Sequence, residues 1–367
     1  IVTINDDNTL TYRAGETTPE ETTTEETTPE ETTPEETTTE ETTTEDDNTS
    51  EEQSTTEDTF TYTAEVVDEE TGTVTVEEAI VNVTVSTSEN IVPTTGENVY
   101  YITAAGKSSN NGKSEQSAWD IEHGFKTAKA GDIIHIKAGN YGSKNLIVQN
   151  SGTTNSPIQF IGYSNNPGDI ISIEGSTFNY GDSLDPTKMP LIKSSTNGES
   201  GIGIHIWKNY IQIENFQIQL YERGIDANGE SQIFKNIITY ETGPQNINTP
   251  SGQGVVIRGS NTRLENSFDY NSVSQGITLN DASNVEVIYC KVYNDNEINP
   301  GGYYILMSGG TTNSTVENCI IYKKPGLFHG GHGYVMKDVA TNNTFRKSVA
   351  YNTGIEANFS DVHDNLW

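Results

Sequence analysis

The chain has 367 residues, enough for two or three domains, with 53 acidic against 20 basic residues, a formal charge of −33 and two cysteines. The charge is mostly local: 18 of the acidic residues lie between Glu16 and Asp58, where no Lys or Arg occurs, whereas Val99 onward carries 19 basic against 25 acidic residues. No basic face for a nucleic-acid partner follows from that balance, and no apolar run reaches the ~18 residues that a membrane span needs.

Residues 1–13, IVTINDDNTLTYR, alternate apolar and polar side chains as a hairpin does, and residues 59–86 read as further strands around an Asp-Glu-Glu-Thr-Gly turn. Together, NTLTY, DTFTYT and VNVTV resemble the bacterial immunoglobulin-like or cadherin-like repeats of surface proteins, which implies a small β-sandwich-like module over 1–90. The Thr, Glu and Pro tract at 16–58 interrupts that pattern. It has almost no apolar surface to bury and its charges repel, so it is expected to be a disordered, solvated spacer. A linker follows at 91–97.

A second unit starts at Asn98. Residues 100–142 hold a strand, a Gly/Asn/Ser loop, a short helix expected from about Trp119 to Ala128, and the strand IIHIKAG after a Gly-Asp turn; SPIQFIGY follows at 156–163. In that order these segments resemble the opening of secreted right-handed parallel β-helix proteins, with the helix covering the first edge of the solenoid. The resemblance implies a secreted or cell-surface location.

Further along, five ten-residue stretches repeat: SQIFKNIITY (231–240), NTRLENSFDY (261–270), NVEVIYCKVY (284–293), NSTVENCIIY (313–322) and NNTFRKSVAY (342–351). Apolar residues recur at the fourth place and Asn often at the sixth. With Tyr221, the closing tyrosines Tyr240, Tyr270, Tyr293, Tyr322 and Tyr351 mark one rung each. After each comes a turn and a second strand that usually opens with Gly, at intervals of 21 to 30 residues. Short strands at that period predict an all-β fold, a parallel β-helix whose coils bury their apolar side against one another over 98–367. Cys290 and Cys319 share a column one coil apart, where two stacked buried thiols or a disulfide both fit. The chain begins at Ile1 without Met and stops at Trp367 inside a seventh coil, which reads as an internal fragment, truncated at its C-terminal end.

Alternation within the Gly-opened strands turns Ile225, Ala227, Val255, Ile257, Ile277, Leu279, Tyr334 and Met336 inward, as it does Ile355 and Ala357. It turns outward one column of Asp226, Val256, Thr278, Val335 and Glu356, and another of Asn228, Arg258, Asn280, Lys337 and Asn358. A polar, solvent-facing sheet with Arg and Lys suits an acidic polysaccharide. Long loops after Tyr240, Tyr293 and Tyr322 are expected to gather Asp295, Glu297, Lys323, Lys324, His329, His332 and Lys337 on one flank.

GHGYVMKD (331–338), followed by NNTFRKSVAYNTG, resembles the ADGFxxK…NxFxxCxAYNN stretch of the family-nine pectate lyases. In that family a lysine removes the C5 proton of a uronate and calcium held by aspartates neutralises the carboxylate. The resemblance implies Lys337 as base, His332 where the family has Asp, and Asp295 with Glu297 as remnants of a calcium site; Arg258, in the same outward column as Lys337, is a further candidate catalytic cation. His332 also suits the acid–base role that His and Tyr play in other lyases of this architecture, with Tyr303, Tyr304 or Tyr322 as partner. Lys323, Lys324, His329, Tyr322, Asn280 and Asn228 are candidate substrate contacts. Asp361, His363 and Asp364 read as a turn. Two functions follow, a lyase cleaving a uronate-containing polysaccharide by β-elimination and a non-catalytic adhesin or polysaccharide-binding solenoid; fold does not choose between them.

Overall fold

Each coil turns corners at residues held in the left-handed backbone region. Asn215, Asn236, Asn266 and Asn318 take φ between 49° and 59°, with Tyr289 and Lys347 at the same corner in their coils; Ser231, Asn261, Asn284, Asn313 and Asn342 form a second such column. An L-residue there costs about 1–2 kcal/mol, least for Asn, whose short amide bonds to nearby backbone. The Asn at the first and sixth places of each stretch is therefore a corner residue. Between corners the chain is extended and pairs in parallel with the coil before it.

The computed structural model describes residues 98–170, 178–245, 251–295, 302–326 and 331–353, together with the strand backbones Val2–Ile4, Leu10–Tyr12, Ser54–Val67, Val74–Thr87 and Val362–His363. Ile355, Glu356, Ala357, Asn358, Asp361, Asp364 and the acidic spacer lie outside them, as do Glu297 and His329. Contacts divide the chain into Ile1–Ser88 and Glu89–Trp367. In the first unit Val2–Ile4 pairs antiparallel with Leu10–Tyr12, and Ser54–Val67 with Val74–Thr87, in the register Phe60↔Val81.

In the second unit the described strands form a seven-stranded and a fifteen-stranded sheet. The seven-stranded sheet stacks His332–Met336, Tyr303–Ser308, Gln275–Asn280, Gln253–Ile257, Arg223–Ala227, Ile202–Ile206 and Leu146–Ile147 in order, all parallel. Its inward residues form ladders, Ile204–Ile225–Val255–Ile277–Ile305–Tyr334 and Ile206–Ala227–Ile257–Leu279–Met307–Met336, all in one core. Facing them is the ladder Ile213–Phe234–Leu264–Val287–Val316–Phe345 of the other sheet. Burying each such side chain contributes roughly 1.5–3 kcal/mol.

At the N-terminal end the helix Ile121–Thr127 starts at Asp120, whose carboxylate accepts from His123 N at 2.9 Å. It buries Ile121 and Phe125 on the first coils, with Phe125 stacked on Phe160 at 4.1 Å. Gly124 lets the helix sit close, since a Cβ there would lie 2.4 Å from Ile102 Cδ1 and would make that side chain shift.

The tyrosine column differs from the expectation in one member. Tyr240, Tyr270, Tyr293, Tyr322 and Tyr351 pair in register, but the residue opposite Tyr240 is Gln219; Tyr221 lies two residues on and is 1% exposed, its hydroxyl bonded to Lys144 O at 2.5 Å. The outer side of that column is partly roofed by a segment of the chain around 178–189. Phe178 meets Phe268 at 4.8 Å, and Tyr180 meets Tyr293 at 5.6 Å and Tyr322 at 5.0 Å. Cys290 and Cys319 are buried free thiols, and burial pushes the Cys290 thiol well up.

In two coils, at Gly254 and Gly276, the Gly that opens the second strand lies against one interior carboxyl, that of Asp269. A Cβ on Gly254 would lie 2.0 Å from Asp269 Oδ1, and one on Gly276 would lie 2.6 Å from Val292 Cγ1. Asp269 is 2% exposed, and its Oδ1 accepts from Thr239 Oγ1 and Ser272 Oγ, both at 2.6 Å. Burial pushes its pKa up to about 7 against the lowering effect of those hydrogen bonds. The folded protein thus keeps a proton that the unfolded chain releases near the ordinary carboxylate range. Stability should fall by roughly 1.4 kcal/mol per pH unit as pH rises from about 4 to about 7, then level off. Thermal melting across that window should show this slope in the wild type and lose it in Asp269→Asn; equal slopes would refute the assignment.

Candidate functional site

The outer face of the seven-stranded sheet carries three rows. The middle row is His205, Asp226, Val256, Thr278, Leu306 and Val335. One flanking row is Arg223, Gln253, Gln275, Tyr303 and His332. The other holds Asn228, Arg258, Asn280, Ser308 and Lys337, in register through Arg258 N to Ala227 O at 2.7 Å and Lys337 N to Met307 O at 2.9 Å.

The middle row does not face solvent as its outward direction implied. Asp226, Val256, Thr278, Leu306 and Val335 are each 4% exposed or less. The flanking side chains bond to one another around it. Arg223 Nε donates to Gln253 Oε1 at 2.9 Å, Gln253 donates to Gln275, and Thr278 Oγ1 donates to Gln275 Oε1 at 2.8 Å. Asp226 lies between Arg223 Nη1 at 3.1 Å and Arg258 Nε at 3.3 Å. A buried carboxylate held by two guanidiniums is a structural pair, since removing either cation leaves charge poorly compensated.

At the last described rungs the roof becomes a clasp. Lys337 Nζ hydrogen-bonds Tyr303 Oη of the preceding coil and lies 4.0 Å from the centre of its ring. The two residues stand on opposite sides of the row holding Leu306 and Val335, so the lysine stem and the phenol ring cross over it. His332 also stacks on Tyr303, at 5.5 Å and 24° between ring planes. A cation, a phenol and an imidazole on one half-exposed surface make up a group able to hold, take and return a proton.

Of the residues singled out from sequence, Lys337 and His332 meet here. Of the three tyrosines weighed as partner, Tyr303 is in contact with His332, whereas Tyr304 is 3% exposed and Tyr322 packs in the tyrosine column 5.6 Å from Tyr293. Arg258 shares Lys337's row but is three rungs away, ~14 Å at the spacing of paired strands, and is engaged by Asp226. Arg258 and Lys337 therefore do not converge. Asn280 donates to Asp281 Oδ2 and accepts from Ser308 Oγ, both at 3.0 Å, while Asn228 is exposed.

Asp295, Lys323 and Lys324 belong to the corner that follows the other sheet. Asp295 accepts from Tyr270 Oη at 2.5 Å and from Asn271 Nδ2 at 2.8 Å. Lys323 is 7% exposed, and burial pulls its pKa down; Lys324 is exposed. Trp207 was missed. It is 56% exposed and follows the strand Ile202–Ile206, itself opened by a Gly one coil before the first in the recognised series.

Among the described residues no helix is long and apolar enough to cross a membrane. Residues 202–363 match a family model described as a right handed beta helix region. Comparison with curated proteins gives no match. Similar solved structures include an alginate lyase from Paenibacillus sp. str. FPU-7, with 14% identity, TM-score 0.47 and coverage of 70% of this chain and 77% of that one. A GH136 lacto-N-biosidase from Eubacterium ramulus aligns at 12% identity and TM-score 0.42, over 69% and 56% of the two chains. The pectate lyase Pel9A aligns at 14% and 0.38, over 68% and 62%. With its coils stacked in parallel and the family match across 202–363, the second unit of this chain is a right-handed parallel β-helix.

Proposed function

We propose that the outer face of the seven-stranded sheet binds a uronate-containing polysaccharide outside the cell, and that the cluster of Tyr303, Lys337 and His332 cleaves it by β-elimination. The observation that carries this reading is the clasp: a phenol in hydrogen-bond contact with an ammonium, backed by an imidazole, on a polar face. Abstraction of a proton next to a carboxylate needs a base, and a positive charge where negative charge develops. Resemblance to the pectate lyases assigned the base to Lys337. Its contact with Tyr303 favours another division of labour, in which Tyr303 enters as the phenolate paired with the Lys337 ammonium, its Oη takes the C5 proton, and Lys337 supplies the charge. As the C5–H bond breaks, its electron pair forms a C4–C5 double bond and the C4–O bond breaks; His332, stacked on Tyr303 and entering as the imidazolium, gives its proton to the leaving oxygen, and passage of the captured proton from Tyr303 to His332 restores both groups.

Calcium was implied by the same resemblance. Both oxygens of Asp295 accept hydrogen bonds, from Tyr270 and Asn271, and among the described residues no three His, Cys, Asp or Glu side chains gather to hold an ion, Glu297 lying outside them. In this reading Lys337 is the cation at the reacting carbon. A second reading, binding without chemistry, draws on Arg258, whose guanidinium is tied to Asp226.

Incubation with pectate, alginate and related polymers should release products with the ultraviolet absorbance of an unsaturated uronate. Tyr303→Phe should lower the rate at least ~100-fold, the scale of general base catalysis, and Lys337→Ala likewise, whereas Lys337→Arg should keep a measurable fraction. An active Tyr303→Phe would exclude the phenol as base. Polymer binding without any unsaturated product would leave only the second reading. Chelation with EDTA should leave the rate unchanged; a loss restored by added calcium would contradict the assignment of that charge to Lys337.

A further inference from the structure

The row that ends at Lys337 begins, at its other end, with an aromatic platform. Asn228 N donates to Ile206 O at 2.8 Å and Ile206 pairs with Ala227, so Trp207 occupies the rung before Asn228. The row therefore runs Trp207, Asn228, Arg258, Asn280, Ser308, Lys337. Five rungs separate its ends, ~24 Å at the spacing of paired strands. Several linked sugars span such a length; a disaccharide does not.

Trp207 is the most exposed aromatic ring among the described residues, yet it is held in place. His205 meets it in a T-shaped contact at 4.7 Å and 86°. The backbone beyond it is pinned on both sides, by Asn209 N to Ser151 Oγ at 3.1 Å, Glu230 N to Asn209 Oδ1 at 3.0 Å and Tyr210 N to Glu230 O at 2.9 Å. An aromatic ring fixed before binding loses little entropy when a ligand covers it. Next to it opens a shallow depression of about 290 Å³ lined by Asn209, Asn228, Glu230, Arg258 and Asp281 among others. Apolar ring beside a set of amide, guanidinium and carboxylate groups is what a pyranose needs, with its C–H face on the aromatic ring and its hydroxyls on the polar lining.

We infer that Trp207 and this depression form a remote sugar subsite that binds a pyranose of the same polysaccharide chain about five rungs from Tyr303 and Lys337. The inference rests on reading this sheet as the glycan-bearing face. It makes Trp207 a residue that measures chain length: oligosaccharides long enough to reach from the clasp to Trp207 gain the contact, and short ones do not.

The test is titration of wild type and Trp207→Ala with oligogalacturonates and oligoalginates of two and six or more residues, by calorimetry, with circular dichroism to verify that the variant is folded. The variant should bind the longer oligosaccharides about tenfold more weakly, the scale of one aromatic contact, and the disaccharides as wild type does. Equal affinity of both proteins for every length would overturn the subsite. Binding that depends on Trp207 with no unsaturated product would support the subsite and sink the elimination. Cleavage with the same length dependence in both proteins would sink the subsite and leave the elimination standing. No binding of any uronate oligosaccharide by wild type would sink both.

Discussion

Everything in the second unit depends on one constraint, the parallel pairing of each coil with the next in fixed register. Pairing places equivalent residues of successive coils directly above one another, so a side chain must suit its own coil and also its column. Apolar columns such as Ile213–Phe234–Leu264–Val287–Val316–Phe345 satisfy this by burial. Charged columns satisfy it by changing sign: Lys235 pairs with Glu265 at 3.4 Å, Arg263 with Glu286 at 2.7 Å and Glu317 with Arg346 at 2.5 Å. Each such surface pair is worth little, but a like-charged neighbour one rung away would cost a similar amount, so the pattern removes repulsion rather than adding much attraction.

Register also decides what kind of site the sheet can offer. A flat parallel sheet has no pocket of its own, and the three outer rows close over their middle row by bonding across it. Where the bonds are Arg–Asp and Gln–Gln, the result is a stabilised surface. Where the crossing partners are Lys337 and Tyr303, the same covering role puts a cation on a phenol at a half-exposed position. The Lys337–Tyr303 contact and the roof are one device, with Val335 and Leu306 buried beneath it.

The period was legible because corners and core repeat in sequence. Asn at the first and sixth places, the apolar fourth place and the opening Gly are each fixed by local sterics, so they recur. What depends on contact between coils was harder to read. Tyr221 looked like a sixth tyrosine of the column because its coil closes two residues late, and Gln219 takes the paired position. The outward direction of Val256 and Val335 followed from alternation, whereas their burial follows from side chains belonging to other rungs. Asp269 reads as one polar residue between Phe268 and Tyr270; the signal that could have found it is the Gly at 254 and 276, an unusual allowance of space on the opposite wall. Trp207 escaped because the Gly series was started one coil late, at Gly224 rather than Gly203.

The spacing of the clasp has a further consequence. Tyr303 and Lys337 are 34 residues apart in sequence, yet one rung apart in space. The segment between them includes a full coil and a loop, and loops after the tyrosine column differ in length from coil to coil. Loop length does not enter the geometry of the clasp, because Leu306 pairs with Val335 and Met307 with Met336 whatever the chain does between them. A change in those pairings by one residue would exchange the inner and outer faces and put Tyr334 outside, where its hydroxyl would lose Cys319 O at 2.9 Å and Val349 O at 3.1 Å. The buried Tyr334 thereby acts as a register lock between His332 and Lys337. The core thus holds His332 and Lys337 at the two ends of one strand, and the loops around them can vary without disturbing that placement.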